Sequence, residues 1–224
     1  MLAGARCVVA DAEDEAELEA LVRAVPDPSA VLWTGSAGLA LAFGRVYPGP
    51  HGEQLSPTPR LAYPVLVVVG SLSAVSRGQL RRLADEHEVV PVVAAGGPEA
   101  VEKAVLAARE ALSRGRHAAV YSPEVRGGAE AWAVVEALAG IVARLSEEGV
   151  FDALVLTGGD TAVGVARGLG ASGIRLVGEV GAGVPVGTLI GPHPYPVVTK
   201  AGGFGEDGTL VDIVKALSHD DGKD

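Results

Sequence analysis

Short apolar runs alternate with amphipathic stretches along most of this sequence of 224 residues. The apolar runs are typical of strands that are covered on both faces, and the stretches between them repeat apolar residues at helical spacing. This alternation predicts an α/β fold with three layers, in which a largely parallel sheet is flanked by helices. The predicted strands lie at 64–69, 89–94, 118–121 and 153–156, and the predicted helices at 75–87, 98–114, 129–148 and 162–169.

The pattern changes near both ends of the chain. After residue 169 it becomes short β segments with Gly and Pro between them, at 174–177, 184–190 and 195–199, which predicts a small mixed β extension. The first 44 residues predict two short strands, at 7–10 and 30–34, and two helices, at 14–25 and 39–44.

Proline marks a boundary between two folding units. The stretch 47–64 holds five of the 14 prolines of the chain, with Gly and Ser between them. Such composition is typical of an extended linker. We therefore divide the chain into 1–47, a Pro/Gly-rich linker at 48–63, and a main domain at 64–224.

Composition excludes several classes of function. A hydrophobic content of 48% with 31 glycines fits a tightly packed α/β protein, and a net charge of −10 argues against broad electrostatic attraction to nucleic acid or anionic membranes. Cys7 is the only cysteine, which excludes an internal disulfide framework and a thiolate zinc cluster. No apolar run reaches the roughly 18 residues of a membrane span. We expect a cytoplasmic protein with a small-molecule partner.

Three glycine-bearing loops follow predicted strands: Gly70–Ser73 (GSLS), Thr157–Thr161 (TGGDT) and Thr199–Gly205 (TKAGGFG). In an open parallel sheet, ligands bind beyond the carboxyl ends of the strands, so loops that are distant in sequence can face one crevice. Free N–H groups at a helix N-terminus bind anions. The three loops therefore predict a phosphate site, although none of them is a GxxxxGK[ST] P-loop.

Individual residues of these loops suit particular roles. We expect Gly159 to need a positive φ and Thr161 to cap a helix that begins near Ala162. Lys200 suits a terminal phosphate, with a surface lysine as the alternative, and Asp160 suits magnesium, with a simple helix cap as the alternative. The candidate binding residues are Ser71, Ser73, Gly158, Gly159, Asp160, Thr161, Lys200, Gly202 and Gly203.

A fourth glycine motif is a false signal. Gly168, Gly170 and Gly173 spell GxGxxG, but they follow a predicted helix and precede a predicted strand. Dinucleotide binding requires the opposite order. We interpret this segment as a helix stop followed by a turn.

Four segments together resemble the nucleotide-binding C-terminal domain of the four-carbon acid sugar kinase family. They are GSLSAVSRGQL (70–80), VLTGGDTA (155–162), GEVGAGVP (178–185) and TKAGGFG (199–205). The resemblance implies an ATP-dependent kinase of threonate, erythronate or 2-oxo-tetronate type acids, with ATP and Mg²⁺ bound by the three loops. It also implies that 64–224 is the nucleotide-binding domain and that 1–47 is a remnant of the N-terminal substrate domain.

The sequence departs from the family pattern in two ways. Ala201 and Gly203 stand where the family usually has Ser and Asn. The Asp-Asp and Thr-Gly-Ala type motif of the substrate domain is not in the sequence, and Asp11 and Asp14 match no catalytic motif, so no catalytic base is assigned. We expect the substrate half to come from a separate polypeptide; the alternatives are a truncated piece of a longer kinase and a non-catalytic nucleotide-binding or regulatory protein. The expected macromolecular partner of the chain is that separate polypeptide or, alternatively, a second copy in a homo-oligomer.

Overall fold

The computed structural model describes residues 7–49, 63–86, 90–93, 98–123 and 131–218. The chain divides into two compact units, 1–54 and 55–224. The predicted linker at 48–63 lies mostly outside the described residues.

The first unit contains two packed helices, α1 (Glu15–Arg23) and α2 (Ala37–Val46), with a short 3₁₀ turn at Pro28–Ala30 between them. The side chain of Asp14 caps α1 by accepting a hydrogen bond of 2.9 Å from the Glu17 N–H. The strands predicted at 7–10 and 30–34 are wrong, because both segments lie outside any sheet. Their apolar side chains are not buried: Val9 is 90% exposed and Leu32 is 94% exposed.

The second unit is built on a seven-stranded sheet in the order β2-β3-β1-β4-β7-β6-β5. The first five strands in that order run parallel, and β6 and β5 continue the sheet in antiparallel pairs. The predicted fold, a largely parallel sheet with a small mixed extension, is confirmed. The strands are β1 (Val65–Val69), β2 (Val90–Val93), β3 (Ala118–Tyr121), β4 (Ala153–Thr157), β5 (Gly173–Gly181), β6 (Val184–Ile190) and β7 (Pro196–Lys200).

Helices cover both faces of this sheet. The side chains of Val65, Val67 and Val69 pack toward α3 and α7, whereas Leu66 and Val68 pack toward α4, α5 and α6. Alternate side chains of a strand point to opposite faces, so an unbroken apolar strand such as β1 requires this double cover. The helices are α3 (Ala74–Glu86), α4 (Pro98–Ser113), α5 (Ala131–Glu147), α6 (Gly159–Gly168) and α7 (Thr209–Ser218).

The chain reverses its direction across the sheet between β1 and β4. From β1 it passes through α3 on one face toward β2, at one edge of the sheet, whereas from β4 it passes through α6 on the other face toward the opposite edge. The connections that leave these two neighbouring strands therefore diverge. Such a switch point opens a crevice at the carboxyl ends of the strands, where ligands bind in folds of this class.

Among the described helices, none combines the length and the apolar character that a bilayer crossing requires. The segment 168–173 is a helix stop and turn, as predicted. The last helical residue of α6 is Gly168, and Gly170 follows with a φ of +68°.

Candidate functional site

The three predicted loops begin side by side at the carboxyl ends of three central strands. They follow β1, β4 and β7, which are neighbours, and we call them loop A (70–73), loop B (158–161, including the first turn of α6) and loop C (201–206). Gly70 N donates to Thr157 O at 3.1 Å, and Gly158 N donates to Lys200 O at 2.9 Å. The hydrogen bonds between neighbouring strands therefore continue to the first residue of loop A and of loop B.

Two glycines allow the loops to interlock. A Cβ on Gly70 would overlap the side chain of Thr161, and a Cβ on Gly202 would overlap the hydroxyl of Ser71. Loop A therefore touches loop B on one side and loop C on the other. The structure brings all three loops together.

Loop B presents the N-terminus of α6. Gly158 is the residue before the helix and has a φ of +103°, and the first intrahelical hydrogen bond runs from Ala162 N to Gly158 O at 3.0 Å. The N–H groups of residues 159–161 precede this bond and carry the positive end of the helix dipole. A Cβ on Gly159 would meet no atom of another segment within 4 Å, and Gly159 and Asp160 are both exposed, so this part of the first turn of α6 is open to solvent.

Two details of loop B differ from the prediction. The helix begins at Gly159, not near Ala162, so Thr161 lies inside the first turn and is not the cap. The positive φ falls on Gly158 instead of Gly159. Thr161 is 3% exposed, and its side chain fills the space that Gly70 leaves.

Loop A leads into α3 at the same end of the strands. Ser71 Oγ accepts a hydrogen bond of 3.1 Å from Ser73 N, and Ser73 O accepts one of 3.0 Å from Arg77 N. The Ser71 hydroxyl thus shapes loop A, and its oxygen also faces Gly202. Two helix N-termini, those of α3 and α6, therefore lie at the switch point.

Buried side chains of α3 hold loop C by its carbonyl groups. Ser76 Oγ donates to Gly202 O at 2.6 Å, and Gln79 Nε2 donates to Phe204 O at 3.1 Å and to Glu206 O at 2.7 Å. Ser76 and Gln79 are fully buried. These carbonyl oxygens of loop C point toward α3, and their hydrogen bonds to side chains of α3 fix the shape of the loop.

Lys200 holds the same loop from β7. Its Nζ donates to Ala201 O and to Phe204 O, both at 2.9 Å. The residue is 3% exposed, so the alternative of a surface lysine is wrong. Burial lowers the pKa of the Lys200 ammonium, because the charged form loses hydration. The geometry gives Lys200 the role of a loop clamp.

A further buried chain of hydrogen bonds ties loop A to the end of β3. Arg77 Nη2 donates to Ser122 Oγ at 2.7 Å, and Ser122 Oγ donates to Gly70 O at 3.3 Å. The Arg77 guanidinium also lies 5.7 Å from the ring centroid of Tyr121. Loop A is thus supported from two sides.

Ser76, Arg77, Gln79 and Ser122 were not predicted as site residues. Ser76 and Gln79 are spaced i, i+3, and Gln79 stands beside Leu80 on α3. Polar residues on a buried helix face are a detectable signal. Ser122 carries no such signal, since its role depends on a contact 45 positions away in sequence.

The fit of the site to a nucleotide rests on these observations. Open N–H groups at a helix N-terminus suit phosphate oxygens, and the open space beside Gly159 and Gly203 admits a ligand close to the backbone. Asp160 is exposed in the first turn of α6. In the described part of the chain no three His, Cys, Asp or Glu residues cluster to hold a metal. This donor set suits Mg²⁺ held mainly by substrate phosphates and water.

A separate groove of about 330 Å³ lies elsewhere in the second unit, lined by Arg175, Thr188, Leu189, Ile190, Gly191 and Pro194. Thr188 pairs with Pro196, the first residue of β7. The groove therefore lies toward the amino end of β7, whereas loops A, B and C lie at the carboxyl ends of β1, β4 and β7.

Comparison with known proteins identifies the family. The profile described as a nucleotide-binding C-terminal domain matches residues 66–210. A D-threonate kinase of Bordetella bronchiseptica is 38% identical over 96% of this chain and 53% of its own length. The chain belongs to the four-carbon acid sugar kinase family. Another D-threonate kinase, from Salmonella typhimurium, is 33% identical over 94% of this chain and 54% of its own length.

Other members of the four-carbon acid sugar kinase family bear different names. A 3-oxo-tetronate kinase of Cupriavidus necator is 29% identical over 90% of this chain and 50% of its own length. The name of this relative has the oxo group at position 3, whereas the resemblance noted in the sequence has it at position 2. The chain spans about half the length of the curated relatives it matches.

Solved structures share the fold. A Bordetella bronchiseptica protein, described as a domain of unknown function with bound citrate in a domain-swapped dimer, aligns with a TM-score of 0.63 at 33% identity, over 92% of this chain and 52% of that one. A Salmonella typhimurium protein described as a putative tRNA synthase aligns with a TM-score of 0.67 at 23% identity, over 91% of this chain and 51% of that one. The second likeness concerns the fold alone.

Proposed function

We propose that this chain is the ATP-binding part of a kinase that phosphorylates a four-carbon sugar acid. The observation that carries the proposal is the meeting of loops A, B and C at the β1/β4 switch point, where the N-terminus of α6 faces open space. The family membership supports the same site for a nucleotide.

The phosphates of ATP are placed against the N–H groups of residues 159–161. This position uses the helix dipole of α6 and requires no lysine in direct contact. Gly159 and Gly203 leave room for close approach, and Lys200 keeps loop C in shape. Asp160 is the carboxylate nearest to this helix terminus in sequence and is proposed to orient Mg²⁺ through water. The metal supplies charge neutralisation of the phosphates.

The acceptor acid is proposed to bind to a substrate half outside this site. Phosphoryl transfer depends on holding the acceptor hydroxyl in line with the γ-phosphate, and positioning of this kind can lower a barrier by about 7–11 kcal/mol. D-threonate is the first acid to test, since the matched D-threonate kinase of Bordetella bronchiseptica shares 38% identity and the Cupriavidus necator 3-oxo-tetronate kinase 29%.

Two measurements test the proposal. Titration calorimetry of the chain with ATP should give saturable heat when Mg²⁺ is present and weaker binding when it is omitted. ADP release with D-threonate should rise well above background when the chain is mixed with the N-terminal half of the Bordetella bronchiseptica relative. Absence of ATP binding at millimolar concentration would contradict the assignment of the site.

The mixing experiment separates binding from catalysis. If ATP binds and neither the chain alone nor the mixture releases ADP, the chain is a nucleotide-binding protein without kinase activity. If the chain alone turns over D-threonate, the acceptor site lies within these 224 residues and the division between two halves is wrong.

A further inference from the structure

Phe204 is a half-exposed aromatic residue in loop C. Phe204 is 49% exposed, whereas Phe151 in the core is 1% exposed. Only 4% of the chain is aromatic. A flat apolar ring at the edge of a phosphate site is a natural platform for a nucleobase, because every base has a π face that stacks on it.

The backbone of Phe204 is fixed by three hydrogen bonds. Its carbonyl oxygen accepts from Lys200 Nζ at 2.9 Å and from Gln79 Nε2 at 3.1 Å, and its N–H donates to Ala201 O at 3.1 Å. Both side-chain donors are buried. The ring therefore projects from a preorganised backbone, which reduces the entropy lost when a ligand binds.

The turn between β5 and β6 supports one side of the ring. A Cβ on Gly183 would lie 3.0 Å from both Cδ1 and Cε1 of Phe204, and Gly183 has a φ of +71°. The ring thus lies close against the backbone of this turn, where any larger residue would displace it. With that side supported, about half of the residue's surface, 49%, remains exposed to solvent.

The ring also lies within reach of the phosphate loops. Gly202 packs on Ser71, and Phe204 is two residues further along, at most about 7 Å. Leu72 of loop A, the neighbour of Ser71, is also exposed, at 42%. Loops A and C therefore each carry an exposed apolar side chain next to their point of contact.

We propose that Phe204, supported by Gly183, stacks on the nucleobase of the bound nucleotide, with Leu72 as the second apolar contact. This inference rests on the proposed ATP-binding function and adds the base subsite to it. The platform recognises a base by its flat surface, so it raises the affinity for ATP above that for inorganic tripolyphosphate, which carries the same phosphates without a base.

Calorimetry with two ligands tests the inference. Phe204→Ala should weaken the binding of MgATP by about 5- to 150-fold, the range for loss of one base–aromatic contact, and should change the binding of magnesium tripolyphosphate by less than about twofold. Phe204→Trp should retain ATP binding, and its fluorescence should change with ATP but not with tripolyphosphate. Tyr63→Ala is the matched control, since Tyr63 is an aromatic residue that is 55% exposed and precedes β1, at the amino ends of the parallel strands.

The two ligands separate the possible failures. Equal losses for ATP and tripolyphosphate in Phe204→Ala would show that the ring only shapes loop C, and the base platform would be wrong. Equal affinity of the parent for both ligands would also overturn the platform but would leave the phosphate site intact. If the parent bound neither ligand, the proposed function would fail and the platform with it.

Discussion

Replacing Gly159 with Val tests the phosphate site with little change to the fold. A Cβ at this position meets no atom within 4 Å, so the helix can accept the new side chain. The branched side chain would occupy the open space beside the N–H groups of α6. We therefore expect the variant to fold as the parent does and to lose ATP.

The size of the effect follows from the contacts that the phosphate would lose. Hydrogen bonds to charged groups are worth about 1.5–3 kcal/mol each, so loss of two weak bonds or of one strong bond, about 3 kcal/mol in total, weakens binding on the order of 100-fold. At a ligand concentration 100 times the parent's dissociation constant, ATP stabilises the parent by about 2.7 kcal/mol. The same concentration would stabilise the variant by only about 0.4 kcal/mol.

A thermal-shift assay reads this difference directly. For a chain of this size, about 1 kcal/mol moves the melting temperature by about 2–4 °C, so MgATP should raise it by about 5–11 °C in the parent and by about 1–2 °C in Gly159→Val. Gly140→Val is the control, because Gly140 is an exposed glycine of α5 that also has open space around its Cα. Its melting temperature should respond to ATP as the parent's does.

Gly158→Ala gives a contrasting result. The φ of +103° at Gly158 disfavours any side chain, so this variant should lose about 1–3 kcal/mol of stability before any ligand is added. The reasoning would be refuted if Gly159→Val kept the full ATP-induced shift, or if it lost as much stability as Gly158→Ala does.

Two further predictions concern the contacts between the loops. Because burial lowers the pKa of Lys200 below its ordinary 10.5, the unfolded chain binds more protons than the folded chain between the two values. The free energy of unfolding of the parent should therefore rise relative to Lys200→Met as the pH is raised toward 10.5 in urea titrations; a constant or falling difference would contradict the burial of the charge. Gly70→Ala should destabilise the fold by about 1–3 kcal/mol through overlap with Thr161, and Thr161→Ala should relieve part of this cost, with a coupling of about 0.5–3 kcal/mol in a double-mutant cycle. Additive effects would show that the two residues do not touch.

Sequence patterns predicted the main domain well because its strands are buried on both faces. The apolar runs that predict β1 and β4 are followed by glycine, at Gly70 and Gly158. The predicted limits of both strands agree with the structure within one or two residues. Because strands that alternate with helices run parallel, the loops that follow them all lie at the carboxyl end of the sheet. The site could be predicted as a set of loops for that reason.

The same pattern failed in the first unit. Residues 7–10 and 30–34 are apolar enough to predict strands, but a short apolar run does not reveal whether a partner strand exists. In the structure Val9 and Leu32 are almost fully exposed. Local sequence also did not decide which glycine of the 158–159 pair takes the positive φ, since glycine accepts both conformations.

The direction of the Lys200 side chain depends on tertiary structure. Its acceptors, Ala201 O and Phe204 O, are backbone atoms whose positions are set by the turn of loop C and by Gln79 of α3. A sequence shows the charge of a lysine but not the carbonyl groups around it. A lysine next to a glycine pair suggests a phosphate contact, which stays a prediction, and the structure adds two carbonyl partners that the sequence does not reveal.

Amide chemical-shift mapping tests the central claim most directly. The account predicts that MgATP shifts the backbone N–H signals of residues 70–73, 158–161 and 201–204 most strongly, with the largest changes at residues 159–161. Signals around the groove at Arg175, Thr188 and Pro194, toward the amino end of β7, should stay unchanged. If the largest shifts appeared at that groove and those of loop B did not move, the nucleotide would bind elsewhere and the site proposed at the β1/β4 switch point would be wrong.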